Sequence, residues 1–249
     1  MKKIKILMGM PIIIEVVDKQ VSKADINKVY SYFEYINQKF STYKATSEIT
    51  LINKGKIKQS KFSKDMKRVF KLSAKTKAET NGFFDIERSG KYDPSGLVKG
   101  WAIFNATKLL KKRGFKNFYI NAGGDIQSFG KNKNGKPWTI GIRNPFKTQE
   151  VIKVINPKNK GVATSGTYER GNHIYSPKIN KKTANDIVSL TVIGPNIYEA
   201  DRFATAAFAM GNSGINFIEN LPGFEGYMID KIGIATYTSG FEKFVYENN

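Results

Sequence analysis

The sequence predicts an α+β fold, on two changes of pattern and one bound on size. Helical periodicity governs the first half, over Ser22–Phe40, Ser63 to about Ala78, and the segment that Asp93–Trp101 opens and Gly114 closes. From Asn117 to Arg143 the period falls to two. There N-F-Y-I-N-A-G-G-D-I is followed by Trp138, Ile140 and Ile142 alternating with Thr139, Gly141 and Arg143. A chain of 249 residues with 40% apolar and 12% aromatic content can bury a sizeable core, as one large domain or two small ones.

Taken in order, M-K-K-I-K-I-L-M-G-M-P-I-I-I-E-V-V starts like a signal peptide. Lys5, Gly9 and Pro11 break its apolar run, and no small-residue cleavage site follows. It is predicted to be a first strand, and no apolar run is long enough to span a bilayer. In the first helix Ser22 and Asp25 have capping-box spacing, and Ile26, Val29, Tyr30, Phe33 and Ile36 share a face. Phe40–Asn53 reads as a polar loop whose Tyr43 either stacks on a flat ring system or packs at a helix end. The second helix turns Met66, Val69, Phe70 and Ala74 inward and ends at N-G-F-F-D-I, a turn leading into a short strand.

The third helix buries Val98, Trp101, Ala102, Leu109 and Leu110. Its opening, D-P-S-G-L-V-K-G-W, puts small residues at a helix N-terminus, where backbone amides suit an anion and Lys99 adds a cation. The spacing of a P-loop is absent. Gly123-Gly124 is either a β-bulge or a place where phosphate meets backbone amides. Ile187–Ile193 is a buried strand, Gly226–Ile229 and Ile232–Tyr237 are closing strands, and F-E-K-F-V-Y is an edge.

Composition excludes several chemistries. With no cysteine there is no disulfide, thiolate metal site or Cys nucleophile, and a single histidine rules out multi-His zinc or iron sites. Any metal must be held by oxygen, which points to Mg²⁺ or Ca²⁺. The net charge of +20 suits nucleic acid, anionic membrane or phosphate-bearing substrates. However, the lysines are scattered over predicted outer faces without interleaved stacking aromatics, which favours solvated faces over a specific nucleic-acid site.

Two stretches carry candidate chemistry. Gly161–Pro177, G-V-A-T-S-G-T-Y-E-R-G-N-H-I-Y-S-P, holds the one histidine, His173, among small hydroxyl residues and glycines. A strand ending at Ala163 would leave T-S-G to face a ligand, with His173 suited to proton transfer near neutrality; the alternative is a solvated hairpin loop. In Glu199–Gly211, an apolar helix, Asp201 and Thr205 lie one turn apart on one face. A carboxylate there is costly to bury unless paired or bound to metal, and a carboxylate with a hydroxyl suits a hard cation. The alternative is Asp201 as a first-turn cap, which leaves Thr205 without a role.

In this order M-G-M-P, F-S-T-Y-x-x-x-S-E-I, N-G-x-F-D, D-P-S-G-L-V-K-G-W-A, I-N-A-G-G-D-I, W-x-I-G-I-R-x-P, A-T-S-G-T-Y-E-R, H-I-Y-S-P and A-D-x-F-A-T-A span nearly the whole chain. On these motifs the chain resembles the FAD:protein FMN transferase (ApbE) family. The resemblance implies a single domain over residues 1–249, of mixed α/β, T-fold-related architecture, with a flavin-nucleotide cleft between two subregions. It implies cleavage of FAD, release of AMP and attachment of FMN to a threonine of an acceptor flavoprotein, a respiratory or reductase FMN-binding domain. Mg²⁺ would be bound by Asp201, Thr205 and the carbonyl of Gly96. Met10, Tyr43, Asp85, Asp93, Lys99 and Ile174 would line the FAD site. His173 would act at the acceptor hydroxyl, with Asp93 as the other candidate catalytic residue. Two departures stand out: Ser176 occupies a position that is commonly acidic in the family, and no N-terminal lipoprotein signal is seen.

The residues also permit a Mg²⁺-dependent FAD pyrophosphatase, a non-catalytic FAD-binding protein, or, on charge alone, a nucleic-acid binder. As the chain stands it is expected in the cytoplasm; removal of a leader would instead place it in the periplasm or at a membrane anchor.

Overall fold

Met8 and Gly9 both take left-handed backbone, with φ of 56° and 74°, so the N-terminal segment folds back on itself. The expected first strand is therefore a hairpin of β1 (Lys2–Leu7) and β2 (Met10–Val16). This is seen in a computed structural model of the chain, which describes residues 1–167 and 186–247. The remaining strands are β3 (Glu87–Arg88), β4 (Lys91–Tyr92), β5 (Phe118–Ala122), β6 (Asp125–Phe129), β7 (Ile140–Arg143), β8 (Val151–Ile155), β9 (Gly161–Gly166), β10 (Ile187–Gly194), β11 (Glu225–Asp230) and β12 (Ala235–Tyr237). The helices are α1 (Lys23–Phe40), α2 (Glu48–Asn53), α3 (Lys64–Glu79), α4 (Ser95–Lys112), α5 (Ile197–Ala209) and α6 (Gly214–Glu219).

Eight strands form one sheet in the order β1-β2-β5-β6-β9-β10-β11-β12, with every neighbouring pair antiparallel. This is the α+β organisation that the sequence predicts. Strand alternation assigns its two faces. Met10, Ile12, Ile14 and Val16 of β2 and Phe118, Ile120 and Ala122 of β5 point into the larger core beneath the helices. Ile126, Val162, Ile193 and Tyr227 point the other way, into a smaller core capped by the β7–β8 hairpin and a 3-10 turn at Phe241–Phe244. Among the described residues no helix is long and apolar enough to cross a membrane.

Several elements differ from expectation. The loop Phe40–Asn53 contains α2, because Ser47 caps it by accepting from Thr50 N and Ile49 and Ile52 supply a buried face. T-S-G does not lie beyond the strand: β9 runs to Gly166 and pairs with β10 throughout. F-E-K-F-V-Y is no edge strand, since Phe241 and Phe244, three apart, both turn inward from a 3-10 turn. The last strand begins only at Ala235 rather than Ile232, whereas the short strand expected after N-G-F-F-D-I does start at Glu87. Gly123-Gly124 is not a bulge. Ala122 pairs with Asp125, and the two glycines have φ of 56° and 90°, making a two-residue hairpin turn.

Helix α5 is sandwiched between the sheet and α4, and glycine makes both approaches possible. A β-carbon on Gly161 would lie 2.1 Å from the backbone N of Ile197, and one on Gly100 would lie 2.5 Å from Asp201 Cβ. Backbone cannot yield as a side chain tip does, so Gly161→Ala should destabilise the fold by about 1–3 kcal/mol or more. Urea unfolding of the two proteins measures this, with a reduced midpoint and unchanged slope expected.

Candidate functional site

The site grows from the α4–α5 seam. Asn196 caps α5 by accepting from Glu199 N, so Asp201 is not the cap. It stands a full turn in, only 3% exposed, facing α4. Its Oδ2 accepts a 2.7 Å hydrogen bond from Gly100 N, an amide that a regular helix aims at Gly96 O. One turn along, Thr205 Oγ1 donates to Gly96 O at 3.2 Å. The three oxygen donors implied for a metal, Gly96, Asp201 and Thr205, thus meet along one seam.

A second carboxylate, Asp125, joins them from the start of β6. The Gly123-Gly124 turn sets it on the helix side of the sheet, 1% exposed. Its Oδ1 accepts from Thr164 N at 3.3 Å, while its Oδ2 accepts no hydrogen bond among the described residues. Lys99 Nζ is nevertheless 2.8 Å from that oxygen and 3.9 Å from Asp201 Oδ1, a contact of charge rather than of directed bonding. Burial, then the charge of the neighbouring Asp125 and a hydrogen-bonding contact between the two carboxyls, push the Asp201 carboxyl well above the ordinary carboxylate range; Lys99 and the Gly100 amide pull the other way. Asp125 escaped the sequence reading because its partners come from α4 and α5, far away in the chain. The signal was the G-G-D run itself, a forced turn followed at once by an acid.

These donors fit a hard divalent cation. All are oxygens, one is a buried carboxylate short of partners, and the carbonyl and hydroxyl are neutral. Among the described residues no three acidic or histidine side chains gather into a cage. Such a site resembles those where Mg²⁺ completes its shell with substrate phosphates.

The other expected residues fall around this centre. Met10 opens β2 and packs against the turn, so that a β-carbon on Gly123 would lie 2.9 Å from its Sδ. Asp93 is exposed at the entrance to α4, where its Oδ1 accepts from Ser95 N at 3.0 Å. Asp85 is ion-paired with Lys77 at 2.5 Å. Lys99 faces the two carboxylates. Tyr43 is 98% exposed, which rules out packing at a helix end and leaves its ring open to a partner. His173 and Ile174 lie outside the described residues, as does Ser176.

The loop carrying Tyr43 is held by Glu48, the acid of S-E-I. Glu48 pairs with Lys39 at 2.8 Å and accepts from Ser63 N and Oγ, both at 2.7 Å, tying α1, α2 and α3 together. Asn53 then clasps the backbone of Tyr92, donating to its carbonyl at 2.9 Å and accepting from its amide at 2.8 Å, next to Asp93.

On the opposite face of the sheet, a cleft of about 630 Å³ opens between β2, β5, β9 and the β7–β8 hairpin. Met10, Asn121, Gly124, Arg143, Thr164 and Thr191 are among its walls. That volume suits a nucleotide-sized ligand. Thr164 connects the two places, since its side chain shares a 2.8 Å hydrogen bond with Thr191 at the cleft while its amide serves Asp125.

These features define an α+β protein with an antiparallel sheet, a buried seam of oxygen donors and a cleft of nucleotide size nearby. The chain belongs to the ApbE family, whose model matches residues 8–92 and 87–228. It is similar to the FAD:protein FMN transferase of Escherichia coli (strain K12), with 28% identity over 150 residues, 57% of this chain and 43% of that protein. It is also similar to the FAD:protein FMN transferase of Vibrio cholerae serotype O1, with 33% identity over 128 residues, 48% of this chain and 38% of that one. In the matched regions the chain thus spans less than half the length of these two relatives. Among solved structures, the flavin transferase ApbE from Vibrio cholerae superposes with a TM-score of 0.85 at 22% identity over 98% of both chains. The ApbE protein from Thermotoga maritima gives 0.86 at 22% identity over 99% of both. At that identity the likeness establishes the fold.

The Glu48 clamp gives a pH signature. Burial opposes its ionisation, but the bonds from Lys39 and Ser63 outweigh burial and hold its pKa below the ordinary value of 4.5. A lowered acid pKa contributes stability that is present above the unfolded value and lost as pH falls through the folded one. Glu48→Gln should therefore melt a few degrees lower at neutral pH, and the gap should close on acidification below the carboxylate range. Thermal melts of both proteins across pH check this.

Proposed function

We propose that the chain is a Mg²⁺-dependent FAD:protein FMN transferase acting as one domain over residues 1–249. The observation that carries this reading is the buried, underpaired Asp201 carboxylate beside the Gly96 carbonyl and the Thr205 hydroxyl, next to a cleft of nucleotide size. Family membership and the printed activity of the curated relatives support the choice of substrate.

In the reaction, the hydroxyl oxygen of an acceptor-protein threonine attacks the FMN phosphorus of FAD. The new phosphoester bond forms as the pyrophosphate P–O bond breaks, AMP leaves with the bridging oxygen, and the hydroxyl proton passes to a base. Gly96, Asp201 and Thr205 would hold Mg²⁺, which when bound offsets pyrophosphate charge and assists the leaving phosphate. Met10 and the Gly123-Gly124 turn let the dinucleotide lie close to backbone at the end of the sheet. Tyr43 offers its open ring as a stacking surface. Lys99, Asp85 and Asp93 complete the FAD site, and Ile174 belongs to the same set. His173 takes the acceptor proton, with Asp93 as the other candidate base. The acceptor is a flavoprotein domain presenting a threonine, and no specific nucleic acid is involved.

Purified protein mixed with FAD and Mg²⁺ should release AMP mainly when an acceptor domain is present. AMP released at the same rate without acceptor would make the chain a pyrophosphatase, and no AMP in either case would leave it a binding protein. Asp201→Asn should abolish Mg²⁺-dependent AMP release. The same variant should melt no lower than wild type in EDTA, since a buried carboxylate that resists ionisation gives way to a neutral amide. Full activity of Asp201→Asn at limiting Mg²⁺ would place the metal elsewhere.

His173→Asn should slow single-turnover FMN transfer by roughly 10²–10⁴-fold while leaving FAD affinity little changed. Transfer at a near wild-type rate, or lost only through failed FAD binding, would make His173 a positioning residue.

A further inference from the structure

Asp125 has no part in the metal set just proposed, yet it is the more deeply buried of the two carboxylates. Its Oδ2 lies in the seam without a hydrogen bond among the described residues, facing the Lys99 ammonium at 2.8 Å. The same ammonium stands farther off, 3.9 Å from Asp201 Oδ1. Lys99 rises from α4 one residue before Gly100, whose amide holds the other Asp201 oxygen at 2.7 Å. A lysine on this turn of α4 therefore has two carboxylates in reach and stays with the one that is not a metal donor.

Charge explains why that choice matters. At such separations in a poorly hydrated seam, an ammonium and a divalent cation competing for one carboxylate oppose each other strongly. Without the Asp125 charge, Asp201 Oδ1 would be the carboxylate oxygen left within reach of Lys99, and the ammonium would be drawn toward the donor. With Asp125 present, the ammonium is satisfied elsewhere, and the pair Asp125–Lys99 is neutral as a unit. Asp125 itself is fixed by backbone: the Gly123-Gly124 turn sets its direction and the Thr164 amide holds its Oδ1.

We infer that Asp125 is a positioning residue that holds Lys99 away from Asp201, and so keeps the Asp201 carboxylate available to a divalent cation. This rests on the metal reading above, and it assigns to the acid of G-G-D a task carried out through another side chain.

The test is Mn²⁺ binding, followed by the electron paramagnetic resonance signal of free Mn²⁺, on full-length protein without FAD and again with FAD. Asp125→Asn keeps the acceptor for Thr164 N but releases Lys99, and should weaken Mn²⁺ binding about tenfold or more. Adding Lys99→Met removes the competitor, and the loss caused by Asp125→Asn should then shrink to roughly threefold or less. Lys99→Met alone should bind Mn²⁺ more tightly than wild type in the absence of FAD, an expectation that stands even if Asp125→Asn does not fold.

Unchanged Mn²⁺ affinity in Asp125→Asn, or an equal loss with and without Lys99, overturns the inference; the second result would make Asp125 a direct ligand. Unchanged or weaker binding by Lys99→Met overturns it as well. Wild-type protein that binds no Mn²⁺ with or without FAD defeats the metal reading itself, and this inference with it.

Discussion

The close approach of α5 to α4 at Gly100 is the contact on which the rest of the site depends. A β-carbon there would meet Asp201 Cβ at 2.5 Å and Ile197 O at 2.7 Å, so the helices reach this separation only because residue 100 has none. The approach brings the Gly100 amide within 2.7 Å of Asp201 Oδ2 and sets Thr205 against Gly96 O one turn on. Gly161 permits the same intimacy on the sheet side, where a β-carbon would strike the backbone of Asn196 and Ile197. The helix is fixed from both sides, and the donors inherit that rigidity.

Neighbouring residues of α5 show how differently the fold treats two buried charges. Arg202 is 3% exposed but well served, paired with Glu79 and with Glu199, the latter at 2.5 Å, and lying over the Phe203 ring at 3.8 Å. Its requirements are met within the protein, as a structural buried ion needs. Asp201 is equally buried yet receives one amide and a lysine at 3.9 Å that lies closer to Asp125, and its other neighbour is the Asp125 carboxyl itself. An acid left this short is destabilised in its charged form, and such groups concentrate where a ligand or cation completes the balance. Adjacent positions on one helix thus separate into a fully paired charge and an underserved one.

Local pattern made the larger elements legible. The α1 capping box and buried face and the alternation of β5 and β7 all follow from spacing, and Asp201 with Thr205 needed only the period of a helix, whereas Ala74, expected inward on α3, is exposed. What spacing did not reveal was made by contacts distant in sequence. Asp125 looks like a turn residue until β6 is placed beside β9 and beneath α4. α2 is too short to announce itself and exists because Glu48 joins Lys39 and Ser63. V-I-K-V-I, which is β8, is half exposed and finds its partner in β7 across a turn. F-E-K-F-V-Y carries aromatic residues that suit either a strand edge or a 3-10 turn, and only the smaller core decides between them.

The sheet also explains why glycine rather than a larger residue bridges the two halves of the site. The buried oxygen donors lie on the helix side and the cleft on the hairpin side, with one strand thickness between them. Thr164 spans that thickness, its amide on Asp125 and its hydroxyl on Thr191. A ligand that touches both sides must pass around the end of β5 and β6, which is the Gly123-Gly124 turn. Any side chain on Gly123 would collide with Met10, and both glycines hold left-handed backbone that other residues enter at a cost. The turn therefore aims Asp125 inward toward Lys99 and leaves the end of β5 and β6 bare of side chains.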